Sequence, residues 1–480
     1  MAASAEIVST SSRAEDGNSK QARATMIAAI SNLSTAYNLV NCNLTNEVME
    51  NEFCGGDHCN ASVTATSTSC LAGAIFGQLT FGYVGDWLGR GPALHLTMVM
   101  SITGALVSAF AVPLDPKNPA SVFIFLCISR FILGVGVGGV YPLAATVAAE
   151  GSDSSSRGQS VAMVFSMQGV GQLMVPLVGM ACLYAFGDEM DRAEDRPIPG
   201  LSWRLILGFG ALPGLLLMPF QERAQDQPRE ERAQQPSLLE ALRNRAYWRS
   251  IVGCAGGWFL FDITFYGNSL FSPSVLHSVF HAGTGETPVI GDSIKNNLCW
   301  QLTILALLGL PGYYVAVCYM DKLGRKVIQI QGFAMMALLY LGLALFLDKM
   351  EELPALLLFV YGLTYFFSNF GPNSTTFILP SESFPREVRS TLNGFCAASG
   401  KMGAVVGSAL FKPLILAFGT SFVFLCCAVC AVLGIIITTF CVEDRRGQQM
   451  MGEGTAECLA SARHDVDLGV ESTQASQSSC

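Results

Sequence analysis

Gly77-Gln-Leu-Thr-Phe-Gly-Tyr-Val-Gly-Asp86-Trp-Leu-Gly-Arg90 decides the fold, because a shortened copy of it, Met320-Asp321-Lys-Leu-Gly-Arg325, returns in the second half of the chain. Each copy follows an apolar run and sets an acid four residues before an arginine. A second pair of landmarks repeats as well: Glu150 with Arg157, and Glu382 with Arg389. One spacing separates Asp86 from Asp321 and Arg90 from Arg325. A spacing only three residues shorter separates Glu150 from Glu382 and Arg157 from Arg389. Two independent pairs at nearly one offset imply duplication. Duplicated helical halves are how many transporters build a midplane site open alternately to each side.

The residues around these landmarks are apolar enough for a bilayer. Of 480 residues, 51% are hydrophobic and 14% charged, where soluble domains carry about 25% charged residues; mean hydropathy is +0.42. A span needs about 20 apolar residues. Six candidates fall at 24–44, 61–83, 93–113, 120–148, 160–186 and 201–220, and six more at 250–272, 298–320, 327–347, 354–380, 390–416 and 419–442. The expected organisation is a tail at 1–22, a six-helix half at 23–220, a linker rich in Arg, Glu, Gln and Pro at 221–249, a second half at 250–442 and a tail at 443–480. Both tails read as irregular polar segments. The loop after the first span holds Glu47, Glu50, Glu52 and Asp57 with no basic residue, which puts it outside and both termini in the cytoplasm.

Composition also excludes. A net charge of −9 argues against nucleic acid. No metal-ligating or nucleophilic constellation stands out, so neither an enzyme nor a bound cofactor is expected. Most cysteines lie within apolar runs and read as small hydrophobes; Cys54 and Cys59 alone share a polar loop suited to a disulfide.

The motifs then become specific. The Gly77–Arg90 stretch resembles the inner-loop signature of the major facilitator superfamily. Arg130-Phe-Ile-Leu-Gly-Val-Gly-Val-Gly-Gly-Val-Tyr141-Pro-Leu-Ala-Ala145 is similar to a signature of the phosphate:proton symporters of plants and fungi. So are Trp258-Phe-Leu-Phe-Asp262-Ile-Thr-Phe-Tyr266-Gly, Asn369-Phe-Gly-Pro-Asn373, and the run through Glu382, Arg389 and Lys401. The resemblance covers about Met26 to Val442. It implies an all-α integral membrane protein of twelve transmembrane helices in two six-helix pseudo-repeats, the major facilitator fold. It also implies import of inorganic phosphate at the plasma membrane with a co-transported proton, and a phosphate site made by Tyr141, Gln168, Trp258, Asp262, Tyr266 and Asn373.

The residues make chemical sense of that expectation. Trp258, Asp262 and Tyr266 stand four apart and share one helix stripe. An acid inside a span usually faces a cavity, a partner or an ion path; the alternative is a packing acid bonded to a neighbouring helix. An ionised carboxylate only accepts hydrogen bonds, and phosphate still carries an O–H to give it. Sulfate has none and would be repelled. Asp262 is the first candidate for the coupling proton and Glu150 the second. Asp86, Arg90, Glu150, Arg157, Asp321, Arg325, Glu382 and Arg389 read as a gating relay, with plain topogenic charges as the alternative. Lys401 is expected either to attract the anion or to pair with an acid across the halves, and Arg130 to pair with an acid of its own half. Gly134, Gly136, Gly138 and Gly139 thin the fourth span for a neighbour, Pro142 offers a kink, and Asn369 and Asn373 flank a Gly-Pro break.

The pattern has gaps. Where the family carries acids, this chain has Thr35, Asn38 and Val140. Importing a monovalent anion against an inside-negative potential costs about 2.3 kcal/mol per 100 mV, so the coupling is expected to differ: fewer protons, or a sodium ion on the oxygens of Thr35 and Asn38. A carrier for another small solute, such as an organic anion or polyol, and a phosphate sensor without flux are the other readings.

Overall fold

The computed structural model describes residues 2–54, 60–115, 118–186, 200–221, 238–269 and 298–448, of residues 2–21 the backbone alone. Cys59, and with it the expected Cys54 pairing, lies outside the described residues.

The first half consists of helices Ala2–Cys54, Asn60–Leu88, Arg90–Ala109, Val122–Glu150 and Arg157–Phe186, with a sixth span in two pieces, Leu201–Phe209 and Leu212–Gln221. The second half has a seventh span in three parts: Trp248–Ile251, a π turn Val252–Gly256, and Gly257–Ser269. Leu298–Leu323 and Arg325–Glu351 follow. The tenth span is Pro354–Ser368, a π turn Asn369–Asn373 and Ser374–Ser383; Arg389–Phe418 and Thr420–Cys441 complete it. Among the described residues there is no strand. The first helix runs back to Ala2, so the expected irregular tail is helical in its described part. Its Ala, Glu, Arg, Lys and Gln are good helix formers, which outweighed the Ser-rich look.

Nine of these helices are long and apolar enough to cross a membrane on length and composition alone. The first span is more polar because it turns its polar stripe inward. Ser31, Thr35, Asn38, Asn41 and Thr45 are all buried, and Asn38 and Asn41 tie this helix to its neighbours through Gly210 and Arg130. Asn32 Nδ2 donates to the carbonyl of Val164 and Tyr37 OH to that of Ile206 (3.0 and 2.8 Å).

Glycine sets the spacing that builds the site. A Cβ on Gly134 or Gly138 would fall 2.2 Å from the carbonyls of Cys70 or Ala74, and one on Gly136 2.5 Å from that of Thr97. The fourth span is thus pressed between the second and third, and its helix continues through Pro142 to Glu150. In the second half, Gly403 and Gly407 lie against the carbonyls of Phe259 and Ile263, with no room for a methyl group. That contact lays the eleventh span on the seventh at the level of Asp262. The π turn at Asn369–Asn373 holds Phe370 and Gly371 away from helical geometry, so the tenth span breaks where its Gly-Pro suggested.

Candidate functional site

Tyr141, Gln168, Trp258, Asp262, Tyr266 and Asn373 line one cavity together with Phe165, Phe265 and Lys401. The first half supplies the fourth and fifth spans, the second half the seventh, tenth and eleventh. The cavity measures about 10 Å³, room for about one water molecule.

Its electrostatic centre is an ion pair. Lys401 Nζ lies 3.0 Å from Asp262 Oδ2 and donates to Tyr266 OH at 2.9 Å. It also faces the Tyr266 and Tyr141 rings at 4.5 and 5.3 Å from their centroids, a favourable place for a cation. Lysine and aspartate are both buried. Removing either would leave the other uncompensated, at about 3–5 kcal/mol. The sequence left Lys401 either to attract the anion or to pair with an acid across the halves; it pairs instead inside its own half, because the Gly403 and Gly407 contacts bring the seventh span within its reach.

Around this pair stand hydrogen-bonding groups with capacity to spare. Gln168 Nε2 donates to Tyr141 OH (2.7 Å), which leaves the tyrosine proton for another acceptor. Gln168 Oε1 is buried without a partner. Asn373 Nδ2 donates to Tyr313 OH and to Asn369 Oδ1 (2.9 and 2.7 Å), and Asn369 donates to the carbonyl of Gly309. Asn369 is thus interhelical glue and Asn373 both glue and cavity wall. The site can offer positive charge, several donors, and acceptor positions on Asp262 and Gln168.

On one side the cavity is closed by the halves themselves. Phe165 and Phe377 stack across the interface with centroids 4.4 Å apart. They sit about one turn nearer than Gln168 and Asn373 to the face bearing Asp86 and Asp321, here the motif face. There each half caps a helix of the other. Asp86 accepts from the backbone N–H groups of Ser390 and Thr391 (3.2 and 2.7 Å), at the start of the eleventh span. Asp321 accepts from those of Gly158 and Gln159 (3.1 and 2.7 Å), at the start of the fifth. Carboxylates at helix N-termini satisfy orphan donors and the helix dipole, each worth about 0.5–2 kcal/mol.

The arginines complete these clamps unequally. Glu150 bridges the halves, taking Arg90 at 3.1 Å and Arg389 at 2.8 Å. Glu382 is held by Arg325 of its own half through two bonds, 2.9 and 2.6 Å. Arg157 reaches the carbonyl of Gln448 at 3.1 Å. Glu150 thus belongs to the motif face and lies apart from the cavity lining.

The departures at Thr35, Asn38 and Val140 are visible too. Asn38 Nδ2 is spent on the carbonyls of Ser34 and Gly210 (2.9 and 2.8 Å). Arg130, fully buried, meets no acid among the described residues: it donates to Asn41 Oδ1 at 2.9 Å and to the Asn38 carbonyl at 3.5 Å. The expected acidic partner is absent because the first span presents only amides and hydroxyls there.

Lys401 could have been promoted to the site from sequence, since a lysine inside a span seldom lacks a role. Phe165, Phe377 and Tyr313 carry no such signal; they are aromatics in apolar runs.

Comparison with known proteins agrees. The Major Facilitator Superfamily profile matches residues 29–379 and, in a second match, 298–457. The probable inorganic phosphate transporter 1-6 of Arabidopsis thaliana is 34% identical over 431 residues, covering 80% of this chain and 83% of that protein. The inorganic phosphate transporter PT2 of Toxoplasma gondii is 31% identical over 435 residues, 89% and 73%. Among solved structures, the proton:xylose symporter XylE bound to 6-bromo-6-deoxy-D-glucose superposes with a TM-score of 0.71 at 20% identity, covering 90% and 98%. A partially occluded inward-open form of XylE from E. coli gives 0.64 at 19%, covering 88% and 100%. These likenesses show the twelve-helix fold. With the repeated clamps and the shared cavity, they establish that the chain is a membrane transporter of the major facilitator superfamily, in the family of the inorganic phosphate transporters.

Proposed function

We propose that this protein imports inorganic phosphate across the plasma membrane by alternating access, with both termini and the motif face in the cytoplasm, and that one proton accompanies each monovalent phosphate. The observation that carries the reading is the cavity pairing of Lys401 with Asp262 beside an unpartnered Gln168 Oε1. A dihydrogen phosphate brings one negative charge, acceptor oxygens and two O–H groups. Lys401 answers the charge. Tyr141 and Tyr266 donate to the oxygens, Trp258 and Asn373 join them by exchanging their present bonds to Asp262 and to Tyr313 and Asn369, and Asp262 and Gln168 accept the O–H groups. A carboxylate offers about four acceptor positions, of which Lys401 and Trp258 take two. The relatives' names as inorganic phosphate transporters support the same cargo.

The small cavity, stacked phenylalanines and closed clamps describe a carrier shut toward the motif face. Loading requires the walls to part on the opposite side, and release requires the Asp86 and Asp321 caps to open. Asp262, Lys401 and the arriving anion exchange partners in between.

The coupling ion follows from charge. Arg130 places a permanent positive charge against the Asn38 carbonyl, a poor setting for sodium at Thr35 and Asn38. Among the described residues Asp262 is the one carboxylate lining the cavity; ionised, it accepts an O–H of the arriving anion, and the single proton it then takes up from the open side is the cation that moves with the loaded site. One proton with one dihydrogen phosphate is electroneutral, so the pH gradient drives uptake and the membrane potential does not.

The test is radiolabelled phosphate uptake into cells lacking their own carriers, at two external pH values, with and without sodium, and at two clamped potentials. Uptake is expected to rise on acidification and to ignore sodium and voltage. Sodium-dependent or strongly voltage-dependent uptake would overturn the coupling. No phosphate uptake by protein that has reached the surface would overturn the cargo.

A further inference from the structure

The chain does not leave the molecule after its last span. Val442 still bonds back to the carbonyl of Thr438, and residues 443–448 then run along the motif face. They are fastened to the second half at three points and braced by one bond of their own. Glu443 pairs with Arg249 at 3.0 Å. Asp444 fits the notch at Gly324, where a Cβ would fall 2.1 Å from its Oδ2. Asp444 Oδ1 accepts from the Arg446 N–H at 3.2 Å, and Arg446 Nη1 donates to the carbonyl of Lys322. After this, Gly447 turns the backbone with φ +69°. The turn presents the Gln448 carbonyl to Arg157 Nη1 of the first half at 3.1 Å.

We propose that residues 443–448 form a strap that holds the motif face shut, anchored on the second half and latched to Arg157 of the first. The latch abuts the Asp321 cap. Arg157 is taken by the Gln448 carbonyl, and the next two residues, Gly158 and Gln159, by the Asp321 carboxylate. Three successive residues at the start of the fifth span are therefore gripped from the other half, and one grip belongs to the tail. Opening this face must pull Arg157 off Gln448 or peel the strap away. Since the latch uses a backbone carbonyl, a shift of the tail is enough to release it, and whatever binds or modifies the residues beyond Gln448 gains a handle on the gate. A charge-assisted bond at a partly exposed site corresponds to about a three- to tenfold change in the closed-to-open ratio.

The experiment needs no cargo: amide hydrogen exchange of the full-length protein in lipid nanodiscs, read at residues 158–162. Two variants are compared with the unmodified protein. In Gly447→Val the added side chain meets open space, since no atom lies within 4 Å of that Cβ, yet it cannot hold the left-handed turn. In the other the chain ends at Arg446, keeping all anchors and losing the latch. Exchange about three- to tenfold faster at 158–162 in both variants, with the rest of the fifth span unchanged, is the expected result. Unchanged exchange at these amides in either variant overturns the strap, whatever the protein carries.

Discussion

The two halves meet the cavity with different chemistry. The first half contributes the neutral Tyr141, Gln168 and Phe165, and its buried arginine of the fourth span, Arg130, is held by amides. The second half contributes a lysine and an aspartate in direct contact. At the motif face the halves still mirror each other, with Asp86 and Asp321 each capping a helix of the partner half. The caps at the motif face, which we propose as the gate, are symmetric, while the charge lining the cavity is one-sided. Symmetry suits a gate, which must let both halves part and rejoin. A small anion needs only one centre of charge, and in the proposed cycle the one acid beside it sets the number of protons.

The largest effect tests that one-sidedness at its centre. Asp262→Asn replaces the carboxylate with a neutral amide that carries no proton and leaves Lys401 uncompensated, so phosphate accumulation falls by at least about a hundredfold while the protein still reaches the membrane; uptake and surface labelling measured together check it. Lys401→Met comes next, with apparent phosphate affinity about tenfold or more weaker, read from uptake against concentration. Asp262→Asn with Lys401→Met in one chain recovers thermal stability relative to either alone, because no lone charge remains, and it recovers no transport.

The motif face gives a smaller contrast. Glu382 is buried, doubly bonded to Arg325 and close enough to Arg157 of the first half to feel its charge, whereas Glu150, between Arg90 and Arg389, is partly open to solvent. Glu382→Gln is expected to cost about 3–5 kcal/mol of stability and Glu150→Gln about 1 kcal/mol, seen as unequal drops in unfolding midpoint. The Glu150 change instead shows in exchange at Ser390 and Thr391 as the interface loosens. Equal drops would mean that the clamps are equivalent. The smallest effect comes from restoring an acid to the first half: Asn41→Asp pairs with Arg130 and raises the unfolding midpoint by a few degrees, about 1 kcal/mol, with the sodium response of uptake unchanged.

What the sequence could announce follows from what each part is made of. The duplication and the clamps were legible because a charge beside an apolar run is conspicuous and two copies recur at one spacing. The break at Asn369–Asn373 was legible from Gly371-Pro372, and the close approach of the fourth span from its glycines. The cavity set came from likeness to a family, and the structure assembles those six side chains around one space. Partner choice was not legible. Lys401 pairs within its half and Arg130 with an amide because helix rotation and depth, which no local pattern encodes, decide who faces whom. The Phe165–Phe377 stack and the Gln448 latch were hidden for a related reason: one is aromatic among aromatics, the other a backbone carbonyl.

The claim that Asp262 grips a protonated anion is met most directly by calorimetric titration of the purified protein with phosphate and with sulfate, repeated on Asp262→Asn. Phosphate should bind at least about tenfold more tightly than sulfate to the unmodified protein, and the preference should vanish in the variant. Sulfate binding as tightly as phosphate to the unmodified protein would contradict it.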